Sequence, residues 1–237
     1  MKYILLIILS IFLIGCTTDD VVNNSELNDS NLNDSEFIKN PVTFDIGGEE
    51  FSSAKNIKLN SGAVNLDDWV EIYDGYGDIR FSKNNVGLVP KSPEAVKETH
   101  AALVLYRDVL PRDFIIDMRM VLNKQLRDSP NPWESGWFLF NYVDENNFYY
   151  IAFKTNGIEL GRVIDGKQEF LLTKDNPKII PKEIYKFKII FDNENLELFI
   201  GSSRAINFNV PRVSGKIALY SEDADVEFLN IRAINPD

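Results

Sequence analysis

Cysteine and histidine are almost absent from this chain of 237 residues, which contains one of each. A single cysteine forms no intrachain disulfide and no cysteine-based zinc site, and a single histidine excludes His-cluster zinc sites and the HExxH protease motif. The glycine pairs Gly47-Gly48 and Gly75-Tyr76-Gly77 lack the strand-to-helix context of a phosphate loop or a nucleophile elbow. The fold must therefore rest on its hydrophobic core.

Basic residues are also in deficit, with 25 Lys and Arg against 36 Asp and Glu and a net charge of -11. An acidic surface repels phosphate backbones and anionic lipid headgroups. We therefore expect no nucleic-acid partner and no electrostatic attachment to membranes.

Long stretches of helical periodicity are missing as well. Short β-branched or aromatic runs take their place, separated by turn sequences such as Asn156-Gly157 and Asp165-Gly166. Regularly spaced short strands without intervening helices predict an all-β, antiparallel two-sheet β-sandwich or jelly roll. The clearest runs are residues 101–106, 114–122, 137–143, 148–154, 159–164, 185–191, 196–200, 216–220 and 226–233.

The first sixteen residues carry an export signal. Lys2 precedes an apolar run from Tyr3 to Ile14, and Gly15 is followed by the only cysteine, Cys16. This pattern resembles the lipobox of prokaryotic lipoproteins, which implies cleavage before Cys16, lipidation of its thiol with a diacylglyceryl group and N-terminal palmitate. The alternatives are an ordinary signal peptide or an uncleaved anchor, although the run is shorter than the ~20 residues of a usual span.

The residues that follow have the composition of a tether. Residues 23–37 form a degenerate five-residue repeat rich in Asn, Asp and Ser, which cannot bury enough apolar area to offset chain entropy. We therefore divide the chain into a signal peptide (1–15), a disordered tether (16–40) and one sandwich domain (41–237). The resulting localisation is an exported domain, lipid-anchored to the cell membrane or outer membrane and held outside the cytoplasm.

Alternation within the runs separates core from surface positions. It predicts that Ile116, Met118, Met120 and Leu122 point inward, and likewise Phe138, Phe140 and Tyr142; Tyr149, Ile151 and Phe153; and Tyr185, Phe187, Ile189 and Phe191. We expect the opposite positions to share one polar face with aromatic neighbours. Its predicted members are Asp117, Arg119, Asn141, Tyr150, Lys154, Lys186 and Lys188.

The segment GWFLFNYVDENNFYY at residues 136–150 resembles the central hairpin of concanavalin A-like lectin/glucanase domains, which include laminin G-like and 3-keto-disaccharide hydrolase-like domains. Further similarity lies in YKFKI at 185–189, GKIALY at 215–220 and VEFLNI at 226–231, so the resemblance spans residues 65–233. It implies a curved double sheet that binds or cuts polysaccharide in many members. The Glu-x-Asp-x-x-Glu motif of the related glucanases is missing, which favours binding over catalysis.

Aromatic residues crowd around this hairpin, and sugar rings present C–H faces that stack on aromatic rings while polar neighbours bond their hydroxyls. Trp133 and Trp137 are the preferred stacking candidates, with core packing as the alternative for the other rings. The predicted partner is a poly- or oligosaccharide. The full candidate carbohydrate-binding set is Trp133, Trp137, Asn141, Tyr150, Lys154, Asp117 and Arg119.

Candidates for chemistry are fewer. His100 and Asp117 are the first suspects if the protein is an enzyme. No cofactor is firmly indicated, but Asp144, Asp223 and Asp225 could supply oxygen ligands to Ca²⁺. Turn formation explains Asp144 equally well, and a charged strand edge explains Asp223 and Asp225.

Three functions remain open from the sequence. The first is a surface-tethered carbohydrate-binding or lectin-like protein, attached to the membrane through its lipid alone. The second is an exported glycan-active enzyme, of the 3-keto-glycoside hydrolase-like or lyase type. The third is a structural or adhesive envelope protein.

Overall fold

The computed structural model describes residues 65–66, 69–82, 84–110, 113–211 and 215–234. The predicted signal peptide with Cys16, the tether at 16–40 and the predicted first residues of the sandwich, 41–64, lie outside these ranges. Within them the chain forms fifteen β-strands and no helix. Accordingly, this part of the chain offers no helix with the length and apolar character required to cross a membrane.

The strands form two antiparallel sheets, which confirms the predicted all-β jelly-roll sandwich. The first sheet has eight strands. In spatial order they are β1 (Asn65–Leu66), β2 (Trp69–Tyr73), β5 (Ala101–Tyr106), β14 (Lys216–Glu222), β7 (Gly136–Asp144), β8 (Asn147–Lys154), β9 (Gly157–Ile164) and β10 (Lys167–Lys174).

The second sheet has seven strands and packs against the first. In spatial order they are β13 (Ser203–Asn209), β12 (Asn195–Ile200), β11 (Ile184–Asp192), β6 (Phe114–Gln125), β15 (Ala224–Ile234), β4 (Asn85–Val89) and β3 (Asp78–Ser82). Strands distant in sequence are neighbours in both sheets, as in a jelly roll.

The main core lies between the sheets and is built from the alternate positions that the sequence predicts. Met118 and Met120 of β6 pack with Phe138 and Phe140 of β7, and Phe153 of β8 contacts Phe187 of β11 with ring centroids 4.1 Å apart. Burial of each such side chain is worth about 1.5–3 kcal/mol, so this layer supplies the main driving force for folding.

Tyr142 is predicted to point into the core but lies on the outer face of the eight-stranded sheet. Asn141 has a φ of 49°, and the pairing of β7 with β14 shifts register between Leu139 and Tyr142, with one extra residue on β7. The extra residue of such a bulge reverses the alternation beyond it. Tyr142 therefore packs with Leu139 on the outer face of the eight-stranded sheet, and the prediction that it points inward is wrong.

The prediction of a single polar face is also wrong. Alternation separates inward from outward positions but does not say to which sheet a strand belongs. Trp137, Tyr150 and Lys154 lie on strands of the eight-stranded sheet, whereas β6 and β11 belong to the other sheet. We call the outer face of the seven-stranded sheet the charged face; it carries Arg80, Asp117, Arg119, Lys186, Lys188, Asp225 and Glu227.

Gly136 sets the distance between the sheets at the start of β7. A Cβ atom there would lie 2.7 Å from Met120 Sδ and 2.8 Å from Val226 Cγ1, both on the opposite sheet. We predict that Gly136→Ala lowers the free energy of unfolding by about 1–3 kcal/mol because the core is overpacked. Urea unfolding measures the change.

The matched control is Gly87→Ala on β4, where the three atoms nearest to the added Cβ all belong to the side chain of Arg80, the first at 3.0 Å. Its cost should be smaller, because that side chain can move toward solvent. Equal costs for the two variants would contradict the proposed tight contact between the sheets.

Candidate functional site

The eight-stranded sheet carries a second apolar cluster on its outer side. We call this surface the aromatic face. Alternation of the strands places its residues opposite the main core, and its rings come from four strands, β2, β7, β8 and β14. Its members are Tyr73, Leu103, Leu105, Trp137, Leu139, Tyr142, Phe148, Tyr150, Ala152, Ala218 and Tyr220.

Trp137 lies near the centre of this face and is held on three sides. Its ring stacks on Tyr150, with centroids 4.8 Å apart, and meets the edge of Tyr220 at 5.3 Å. Its indole Nε1 donates a hydrogen bond of 2.9 Å to the backbone carbonyl of Trp133. The indole is half-buried, so a fixed part of the ring faces solvent.

A buried polar network supports the stacked pair. The Tyr150 hydroxyl donates to Glu159 Oε1 at 3.0 Å and accepts from Gln168 Nε2 at 2.6 Å, while Lys154 Nζ lies 2.6 Å from Glu159 Oε2. Burial and the Glu159 charge raise the pKa of Tyr150 and keep it neutral. The ring lies over Gly161, where a Cβ atom would be 2.2 Å from the Tyr150 hydroxyl oxygen.

Glu222 lies at the edge of the aromatic face, at the end of β14. Its Oε2 accepts a 2.7 Å hydrogen bond from the Tyr220 hydroxyl, and the side chain of Trp133 also bonds it. Burial, and then the charges of Asp223 and Glu134, raise its pKa from 4.5 to about 7 against the opposing effect of the two hydrogen bonds. This half-buried carboxyl group therefore exchanges protons near neutral pH.

The two carboxylates beneath Glu222 are fixed by one arginine. Arg127 Nε lies 2.6 Å from Glu134 Oε1, and its Nη2 lies 2.7 Å from Asp223 Oδ2. Asn131 donates a further bond to Glu134, and the backbone N–H of His100 donates one to Asp223. Glu134 and Asp223 are buried and have no exposed surface for a ligand.

The structure brings together four of the seven predicted sugar-binding residues. Trp133, Trp137, Tyr150 and Lys154 belong to the aromatic face or its edge, but Tyr150 and Lys154 are buried and act as supports. Asn141 lies in the bulge and donates a 3.4 Å bond to the carbonyl of Pro211. Asp117 and Arg119 lie on the charged face, because β6 belongs to the other sheet.

The two catalytic suspects are also separated. His100 is 6% exposed, with Nδ1 2.7 Å from the carbonyl of Lys91 and Nε2 3.1 Å from Glu98 Oε1. Its ring is thus engaged next to the eight-stranded sheet, whereas Asp117 lies on the charged face. They do not form a joint site.

The three predicted calcium ligands do not converge. Asp144 accepts the backbone N–H of Asn146 within its own turn, Asp223 is held by the arginine described above, and Asp225 pairs with Arg80 at 3.1 Å. Among the residues described, no group of three or more acidic, histidine or cysteine side chains is placed to hold a metal ion.

Sequence reasoning missed Glu222 and Tyr220, which the structure places beside Trp133 and Trp137. Alternation in residues 216–222 was the available signal, because it puts Ala218, Tyr220 and Glu222 on one side of β14. That pattern does not reveal that β14 lies between β5 and β7, next to the tryptophans.

No protein family matches the sequence, and no curated protein matches it either. Solved structures do show the same fold. The carbohydrate binding module CBM66 from Bacillus subtilis is 14% identical, with a TM-score of 0.52 over 72% of this chain and 98% of that one. The Ca²⁺-bound exoplasmic/lumenal domain of VIP36 is 10% identical, with a TM-score of 0.54 over 74% of this chain and 87% of that one.

The VIP36 domain bound to Ca²⁺ and Man3GlcNAc is also similar, with 9% identity and a TM-score of 0.51 over 72% of this chain and 83% of that one. These likenesses establish the fold alone. The described part of the chain is a jelly-roll β-sandwich, a fold that these structures share.

The raised pKa of Glu222 predicts a pH-dependent stability. As the pH rises above 4.5, the unfolded chain releases this proton first, so stability falls until the pH passes about 7. The full shift corresponds to a loss of about 3 kcal/mol. We predict that Glu222→Gln removes most of this loss, as measured by urea unfolding at about pH 5 and about pH 8.

Glu197→Gln is the control, because it removes a carboxylate from the other sheet, where Glu197 pairs with Arg204. It should keep the wild-type difference between the two pH values. A Glu222→Gln variant with the wild-type pH profile would show that Glu222 ionises normally in the folded protein.

Proposed function

We propose that this protein binds carbohydrate through the aromatic face. The observation that carries the proposal is the half-buried Trp137, fixed between Tyr150 and Tyr220 with hydrogen-bonding side chains around it. The lectin-like fold supports it, as do the two similar structures described by name as a carbohydrate binding module and as a Man3GlcNAc complex.

The chemistry of the face suits a sugar. A pyranose ring has apolar C–H patches that stack on an indole or phenol ring, and its hydroxyl groups need nearby polar partners. Phe170, which is 66% exposed and paired in register with Gly161, extends the apolar surface toward the edge at β10. Because Trp137 is already held in place, binding costs little side-chain entropy.

Trp137→Ala should weaken glycan binding at least tenfold, because a ring contact is worth about 0.5–1.5 kcal/mol beyond its buried area. A glycan array identifies the bound sugar, and calorimetry then compares the variants. Asp117→Ala on the charged face is the matched control and should bind as the wild type does. Loss of binding in Asp117→Ala, with Trp137→Ala unaffected, would place the site on the seven-stranded sheet and contradict the proposal.

A glycan-active enzyme is the second candidate, and Glu222 is the observation that favours it. A carboxyl group with a pKa of about 7 can act as a general acid near neutral pH. A second carboxylate for hydrolysis would have to come from elsewhere, since Asp223 and Glu134 are buried and bound by Arg127. Release of sugar fragments that stops in Glu222→Gln would support the enzyme.

We further propose that the protein is exported and anchored through a lipid on Cys16, with the sandwich domain outside the cytoplasm. The lipobox resemblance and the acidic net charge of -11 support attachment through lipid alone.

Cys16→Ala should move the protein from the membrane fraction to the soluble exported fraction, because one lipidated cysteine supplies the attachment. Fractionation and mass spectrometry of the mature N-terminus measure this. Cys16→Ala protein that stays with the membrane would contradict the lipid anchor.

A further inference from the structure

Charged groups are distributed unequally along the aromatic face. Lys154 is neutralised by Glu159, at 2.6 Å. Lys216 lies at the opposite end of β14 from Glu222, and the six residue steps between them span about 20 Å. Neither lysine therefore offsets the negative charge at the Glu222 end of the face.

The Glu222 end has an excess of acid. Glu222, Glu134 and Asp223 lie together, and Arg127 pairs with the latter two. Three carboxylates against one guanidinium leave two negative charges when all are ionised. Of the three, only Glu222 is partly exposed, because Glu134 and Asp223 are buried.

The phenol groups near Glu222 experience the same negative field. Burial raises the pKa of Tyr73, and the nearby charges of Glu145 and Glu222 raise it further. Burial and Glu222 likewise raise the pKa of Tyr220. Both phenols thus remain neutral. Their rings lie close to the Glu222 carboxylate, and no basic side chain is among the groups that shift the pKa of Glu222.

We propose that the Glu222 end of the aromatic face binds the ammonium group of an amino sugar, so that the preferred ligand is an oligosaccharide with free hexosamine amines. This inference rests on the proposed carbohydrate binding and adds the ligand class. Its central feature is the juxtaposition of the Glu222 carboxylate with the rings of Trp133, Trp137 and Tyr220.

Two attractions act together on such a ligand. The ammonium group forms a charge-assisted hydrogen bond to the Glu222 carboxylate, and the neighbouring aromatic rings add a cation–π contribution. A uronate or a sulfated sugar would instead place a negative charge beside Glu222, Glu134 and Asp223. The same geometry therefore discriminates against acidic polysaccharides.

Proton exchange accompanies this binding. Glu222 has a pKa of about 7, raised by burial and by Asp223 and Glu134. A bound ammonium group favours the ionised carboxylate, so binding lowers the pKa of Glu222, and its proton passes to solvent or to a neutral amine of the ligand. An N-acetylated sugar has no such charge and no such effect.

The test compares the tetrasaccharide of glucosamine with its N-acetylated counterpart by calorimetry at about pH 6.5, where part of these weakly basic amines is protonated and part of Glu222 is ionised. We expect the full chain to bind the free-amine form at least tenfold more tightly. Glu222→Gln should weaken binding of the free-amine form at least tenfold and so abolish the difference. Glu197→Gln, on the other sheet, should retain it.

Other results would overturn the inference. They are equal or tighter binding of the N-acetylated tetrasaccharide or of tetragalacturonate, and a preference for free amines that persists in Glu222→Gln. Absence of binding to either glucosamine form would also overturn it. The proposed function is judged separately, because a neutral glycan bound by the wild type and lost in Trp137→Ala would still support it.

Discussion

The eight-stranded sheet has apolar side chains on both of its faces, and this constraint shapes the rest of the molecule. One layer packs against the seven-stranded sheet and forms the main core. The other layer, with Trp137 near its centre, lies outside the sandwich. Antiparallel sheets commonly present a polar face to water, so an outer aromatic layer distinguishes this face from the charged face of the partner sheet.

The outer rings are held by polar groups that are themselves paired. The Lys154–Glu159 ion pair is buried, and desolvation makes such a pair a poor source of stability by itself. Together with Gln168, it instead holds the Tyr150 hydroxyl, which fixes the ring on which Trp137 stacks. Removal of either charged partner would leave the other buried and uncompensated. The network thus links the arrangement of the binding surface to the integrity of β8 and β9.

The raised pKa of Glu222 has a related structural cause. Burial raises the pKa of Glu222, and Asp223 and Glu134 raise it further although Arg127 pairs with both of them. The face therefore has one end that binds and releases a proton near neutral pH. Its centre is neutral, since Lys154 and Glu159 cancel. This asymmetry is the physical basis for a directional preference among sugars.

Much of the fold was predictable from alternation, because positions such as Met118, Met120 and Phe138 must point to the same interior in any sandwich built from these strands. The outer surface was less predictable. Period-two alternation does not assign a strand to a sheet, so Asp117 and Lys154 were expected on one face and lie on two. The bulge at Asn141 reverses the side of the sheet on which Tyr142 lies. Asparagine adopts a positive φ more readily than most residues, but its presence in a strand does not by itself mark a bulge. Glu222 acquires its raised pKa only in the folded chain, where burial acts on it together with the charges of Asp223 and Glu134.

The central claim is that the outer aromatic layer of the eight-stranded sheet is a sugar-binding surface. A crystal structure after soaking with a mixture of neutral and amino oligosaccharides tests it most directly. We expect density for a sugar ring stacked on Trp137, with further contacts toward Tyr220 and Glu222. Sugar density on the charged face beside Asp117 and Arg119, with the aromatic face empty, would contradict the account.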